Sequence, residues 1–142
     1  MVVPQVVIDT NVLIASLRSQ FGASHQLLLL SGGDKFEINL SVPLALEYEE
    51  AAKRHADNLG LSFQTIENII GYLCSIARRH QIYYLWRPLL PDPSDEMVLE
   101  VAVAGRCDFL VTYNERDFRP AKRFAVKVVT PQEFLREIGE IP

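Results

Sequence analysis

The chain has 142 residues, 49% apolar and 23% charged, with 14 basic and 18 acidic side chains that leave a net charge of −4. That length is expected to form one domain over residues 1–142, with enough apolar mass for a core, and the acidic balance argues against a generic nucleic-acid-coating protein. No apolar run approaches the ~20 residues that span a bilayer, so no membrane partner is expected. Met1-Val2-Val3-Pro4-Gln5 lacks a basic leader ahead of the first apolar run, so a cytoplasmic location is expected. Cys74 and Cys107 lie within or beside apolar segments and read as free buried thiols. His25, His55 and His80 show no metal-ligand spacing, and surface or helix-end roles suffice for all three.

The first element is a strand at about 5–9, in which Val6-Val7-Ile8 ends abruptly at Asp9-Thr10-Asn11. A helix follows from about 10 to 18. Ser24 to Leu30 reads as a helix stopped by Ser31-Gly32-Gly33, and Phe36-Glu37-Ile38 as a short strand. Ser41 has the chemistry of an N-cap, with Pro43 in the first turn of a helix reaching about Arg54. Ser62 caps the next helix, where Phe63, Ile66, Ile70, Leu73 and Ala77 keep the spacing of one buried face. Ile82 to Leu85 is the expected third strand. Pro88, Pro91 and Pro93 then mark a rigid loop before a helix at about 94–105. Asp108 to Thr112 and Ala125 to Val129 are the fourth and fifth strands. Thr130-Pro131 starts a last helix, with Phe134, Leu135 and Ile138 as its apolar stripe. Strands alternating with helices predict an α/β fold with a mostly parallel, roughly five-stranded sheet covered on both faces.

Ligands bind at the carboxyl edge of such a sheet, and four separated segments deliver polar groups there. Asp9 ends strand one. Glu47 borders the buried stripe of Leu44, Tyr48 and Ala51, although Glu49 satisfies the same periodicity against Val42, Ala45 and Ala52. Asp95 opens the helix of Val98, Leu99 and Ala102. Strand four ends in Thr112, with Asn114 and Asp117 within a turn. Hard divalent cations such as Mg²⁺ and Mn²⁺ take carboxylate, carbonyl and water oxygens, and two of them together can activate a water and stabilise the leaving oxygen of a phosphodiester. Taken singly, each residue has a plainer role: an N-cap, a first-turn acid or a solvated face. Their joint occurrence at equivalent topological places favours a site. Basic residues gather at Arg116, Arg119, Lys122, Arg123 and Lys127, against Asp117 alone. The first four are expected to form a rim for the phosphates of a polyanion.

The ordered set Val7-Ile-Asp-Thr-Asn-Val-Leu13, Ser41 with Glu47-Tyr48-Glu49, Asp92-Pro-Ser-Asp95 with Leu99 to Ala104, Asp108 to Thr112 with Asn114 to Phe118, and Thr130 to Phe134 resembles the PIN-domain family. It is similar in particular to the PIN-family toxins of type II toxin–antitoxin systems. The resemblance implies a three-layer α/β/α fold and a Mg²⁺- or Mn²⁺-dependent ribonuclease acting on single-stranded RNA, with a cognate antitoxin as partner. It implies that Asp9, Glu47 and Asp95 bind metal, that Thr112 is the hydroxyl residue closing strand four, and that Asn11 supports Asp9. It also selects Glu47 over Glu49. Many relatives carry an acid where Asn114 stands, so Asp117 is expected to supply the fourth, with Asn114, through its amide oxygen, as the alternative for that place in the site. Relatives commonly dimerise, and the apolar helices at Leu27–Leu30 and 62–78 make a homodimer the expectation here. The rival reading is a catalytically silent PIN domain that binds RNA or protein; loss of Asp9 or Asp95 would have pointed to it, and both are present.

Overall fold

A computed structural model of the chain describes residues 2–82 and 90–142. Five parallel strands, β1 (Gln5–Ile8), β2 (Glu37–Leu40), β3 (Arg78–Arg79), β4 (Phe109–Val111) and β5 (Lys127–Val129), form one sheet in the order β3-β2-β1-β4-β5. The chain therefore builds outward from β1 to one edge, then returns to the other side of β1 to lay down β4 and β5. The switch in direction falls between β1 and β4, and in open parallel sheets the crevice at such a switch is where ligands sit.

The helices are α1 (Thr10–Arg18), α2 (Ala23–Leu30), α3 (Val42–Arg54), the single turn α4 (Ala56–Leu59), α5 (Phe63–Ile76), α6 (Pro93–Ala104) and α7 (Pro131–Glu137). A 3₁₀ segment, Glu115–Phe124, links β4 to β5. α3 packs against α1, α5 and α6, while α2 packs against α1 and α7. The central strands are buried on both faces: Val6, Val7, Leu110 and Val111 are fully covered, as their uninterrupted apolar runs require. Phe134 anchors α7 to the sheet through edge-to-face contacts with Phe36 and Phe109, each at 5.2 Å between ring centroids.

The caps form as their local chemistry dictates. Ser41 Oγ accepts from Leu44 N at 3.2 Å, and Ser62 Oγ from Thr65 N at 3.1 Å. Thr130 and Glu133 complete a reciprocal capping box at 3.2 and 2.8 Å.

Two expectations need correction. Among the described residues the edge strand is Arg78–Arg79, paired with Asn39 and Leu40; of the expected strand 82–85, Ile82 is not in a strand, and 83–85 lie outside the described residues, as does Pro88. Phe63 is exposed, with Ile66, Ile70 and Leu73 forming the buried face of α5. The first-turn position of Phe63 overhangs the core, and the ring instead lies 5.2 Å from the Lys53 ammonium.

Beneath the β2–β3 edge, Asn39 is fully buried. Its Nδ2 donates to Gln5 Oε1 at 3.1 Å and to the Val6 and Glu37 carbonyls at 3.3 Å, and its Oδ1 accepts from His80 Nε2 at 2.6 Å. Gly105, at the end of α6, is pressed against this pair. A Cβ there would meet Asn39 Oδ1 at 2.8 Å and His80 Nε2 at 2.9 Å.

Candidate active site

Asp9 directly follows β1 and occupies the N-cap position of α1, yet its side chain does not cap that helix. Its backbone N–H donates to Val111 O at 2.9 Å, across the switch between β1 and β4. Its Oδ2 accepts from Thr112 Oγ1 at 2.7 Å, and Thr112 Oγ1 in turn accepts from Asn114 N at 2.9 Å. The amide of Asn114 thus orients the hydroxyl, and the hydroxyl orients the carboxylate. Asp9 is 5% exposed and Thr112 is fully buried. Tyr48 Oη donates to the carbonyl of Ile8, tying α3 to the last residue of β1.

Burial pushes the Asp9 carboxyl above its ordinary 3.8; the Thr112 hydroxyl opposes this, and the charges of Asp92 and Asp117 add to it. Asp95, in the first turn of α6, is pushed up to about 6 by burial and by the charges of Asp9, Asp92, Asp117 and Glu96. Asp9, Asp92, Asp95 and Asp117 therefore share one electrostatic centre, drawn from three separate segments.

Asp92 was not singled out from the sequence. It is the N-cap of α6 and accepts from Ser94 N at 2.9 Å; the signal available was its place in Asp92-Pro-Ser-Asp95. Glu96, buried on the next position, accepts from Leu90 N and holds the approach to α6. Asp117 lies in the first turn of the 3₁₀ segment, and Asn114 is that segment's N-cap residue. Both are exposed, and Asp117 is the one whose charge reaches Asp9 and Asp95. Glu47 is half-buried next to Tyr48 on α3, but it is not among the charges that raise Asp9 or Asp95. Glu49 is engaged at 3.6 Å with Lys53.

The donor set can be tested against a hard divalent cation. It consists of oxygen ligands with no histidine or cysteine, and its two principal carboxyls are held in a state that an adjacent cation would relieve. Beside Asp9, Thr10 Oγ1 and Asn11 Oδ1 are buried without a hydrogen-bond partner, an arrangement that costs about 1–3 kcal/mol per group when nothing satisfies it. Among the described residues no three acidic, histidine or cysteine side chains close on one point. Such a centre suits an ion that keeps several waters and takes one or two carboxylates, as Mg²⁺ does. The residues fit.

A stability consequence follows without any metal. Asp95 binds its proton more tightly in the folded chain (about 6) than in the unfolded one (3.8), and Asp9 is shifted in the same direction. As pH rises from 3.8 through about 6, the unfolded chain ionises first and the folded state loses stability; the full penalty stands above about 6. In chelator, thermal melts are expected to show a contribution from these two residues that is more favourable near pH 5 than near pH 7.5. An Asp9→Asn/Asp95→Asn double variant should remove that difference.

The chain matches the PIN domain across residues 5–116 and belongs to that family. No curated protein matches the sequence significantly. Among solved structures, its fold is similar to VapBC2 from Rickettsia felis bound to a DNA fragment from their promoter, at 12% identity and a TM-score of 0.57, covering 87% of this chain and 98% of that chain.

Proposed function

We propose that this PIN-domain chain, acting as one domain over its 142 residues, is a Mg²⁺- or Mn²⁺-dependent endoribonuclease for single-stranded RNA and the toxin of a toxin–antitoxin pair. The observation that carries the reading is Asp9: a carboxylate buried at the switch point, declining its helix cap and held instead by Thr112, within an acidic centre that includes Asp95. Asp9 and Asp95 would hold the ion, with Asp117 as the further acid. The family resemblance adds Glu47, and Asn11 would offer its buried amide oxygen. A bound ion supplies a polarised phosphoryl oxygen and a water of lowered pKa. The protein's own contribution is orientation: Thr112 fixes the Asp9 carboxylate and Tyr48 fixes the strand end beneath it. The VapBC2 complex of similar fold supports a search for a cognate partner encoded beside this chain.

Cleavage of end-labelled RNA with Mn²⁺ or Mg²⁺, and its loss in chelator, tests the reading. Metal-independent cleavage, or RNA binding with no cleavage under any metal, would replace it with the silent binding module.

Asp117→Asn is expected to weaken Mn²⁺ binding and cleavage by roughly 10–100-fold, the range for residues that tune a metal centre, and Asn114→Ala by much less. Titrating Mn²⁺ into both variants checks the order. Self-association belongs to the same reading, since Leu29 on α2 and Phe63 and Tyr72 on α5 leave apolar surface exposed. A dimer mass in light scattering at micromolar concentration is expected, and a monomer mass would count against it.

A further inference from the structure

The 3₁₀ segment that carries Asp117 also walls a cavity of about 370 Å³ against the edge strand β5. Four cations line it: Arg116, Arg119, Lys122 and Lys127. A 3₁₀ helix has three residues per turn, so side chains three apart eclipse one another. Arg116, Arg119 and Lys122 are spaced by three and all face the cavity, whereas Arg123, one step further round, does not line it. The bend at Phe118 falls between the two arginines without taking either out of the lining. Beyond that bend, Arg119 and Lys122 stand one turn apart, an advance of ~6 Å, about the pitch of consecutive phosphates in an extended strand.

Three of these cations are uncompensated. Among the described residues no carboxylate lies within ion-pairing distance of Arg116, Arg119 or Lys122, while Lys127 is paired with Glu137. Glu115 is the one acid in the lining, and it forms none of the ion pairs among the described residues. Unpaired like charges gathered in a groove repel one another and raise the local concentration of anions, and arginine forks match phosphate oxygens. The floor is the apolar pair Val126 and Val128.

We propose that this trough seats the backbone phosphates of the substrate RNA beside the scissile one, through Arg116, Arg119 and Lys122, with Lys127 at its rim and Arg123 outside it. The assignment of RNA as occupant rests on the ribonuclease reading. It is favoured over an acidic peptide because Asp117, whose charge reaches Asp9 and Asp95, lies between Arg116 and Arg119 on the same segment, which joins the row of cations to the acidic centre.

The test is fluorescence anisotropy of a short labelled single-stranded oligoribonucleotide in chelator, from ~50 to ~200 mM salt, the range over which counterion release is read. Arg119→Gln/Lys122→Gln is expected to lower the log–log salt slope by about 1.4, two phosphates at ~0.7 each, and to weaken binding at low salt by at least about tenfold. Arg123→Gln should move the slope by less than half of one phosphate. An unchanged slope in the double variant overturns the proposal, and so does an equal loss in Arg123→Gln. Binding of a polyglutamate peptide that the double variant loses, with the oligonucleotide slope intact, would also overturn it and give the trough to a protein partner. The two readings fail separately: a shifted slope with no cleavage under Mn²⁺ removes the nuclease alone, and cleavage with an unshifted slope removes the trough alone.

Discussion

Asp9→Asn is expected to abolish metal-dependent RNA cleavage while leaving a folded protein whose metal-free stability is equal or higher. The substitution preserves shape, and its amide oxygen still accepts the Thr112 hydroxyl. What disappears is the one buried charge at the switch point. If that charge anchors the ion, several kcal/mol of metal-borne stabilisation are lost. Since about 1.4 kcal/mol is tenfold in rate, the loss should be at least about a thousandfold. Stability moves the other way, because burial makes the ionised Asp9 unfavourable in the metal-free fold. Added Mg²⁺ should raise the melting temperature of the wild type, since an ion that binds only the folded chain stabilises it by mass action, and should leave Asp9→Asn unmoved. Wild-type turnover by a folded Asp9→Asn protein would end the metal-nuclease reading.

Thr112→Val is the second large effect, expected to cut metal affinity and cleavage by roughly 10–100-fold, as loss of a group that orients a metal ligand does. Valine replaces the hydroxyl with a methyl of similar size, so the fully buried site stays filled. Two partners are left bare: Asp9 Oδ2 loses its donor and Asn114 N loses its acceptor. The carboxyl pKa should rise further, because the Thr112 hydrogen bond is the larger of the two that oppose burial, the other coming from the Thr10 backbone. Thr112→Ser keeps the hydroxyl and should recover most of the loss. A Thr112→Val protein with wild-type metal affinity would show that Asp9 needs no such support.

What could be read from residues alone follows the range of the forces involved. The caps at Ser41, Ser62 and Thr130 are local chemistry and stand in the structure as expected. The runs Val6–Ile8 and Phe109–Val111 need only burial on both faces to become central strands. β3 is different. Arg78–Arg79 has no apolar signal and becomes a strand because Asn39 and Leu40 offer it a pairing edge, with His80 N donating to Leu40 O at 2.8 Å. Propensity is overridden there by tertiary pairing. Asp92 has a real plain role, since it caps α6, and only the folded arrangement brings its charge to Asp9. Among the basic residues, composition cannot separate Arg123 from Arg119. The folded cavity does, because its lining takes in Arg119 and leaves Arg123 out.

Gly105 lies ten residues beyond Asp95, about 15 Å along a helix that rises ~1.5 Å per residue. Its contact with Asn39 and His80 acts as an end-stop for α6: the helix abuts the β2–β3 edge with no room for even one methyl group. At its other end Glu96 is fastened to Leu90 N. With that stop in place α6 cannot advance toward the β2–β3 edge, so the position of Asp95 relative to Asp9 is gauged in part by a glycine at the far end of the helix.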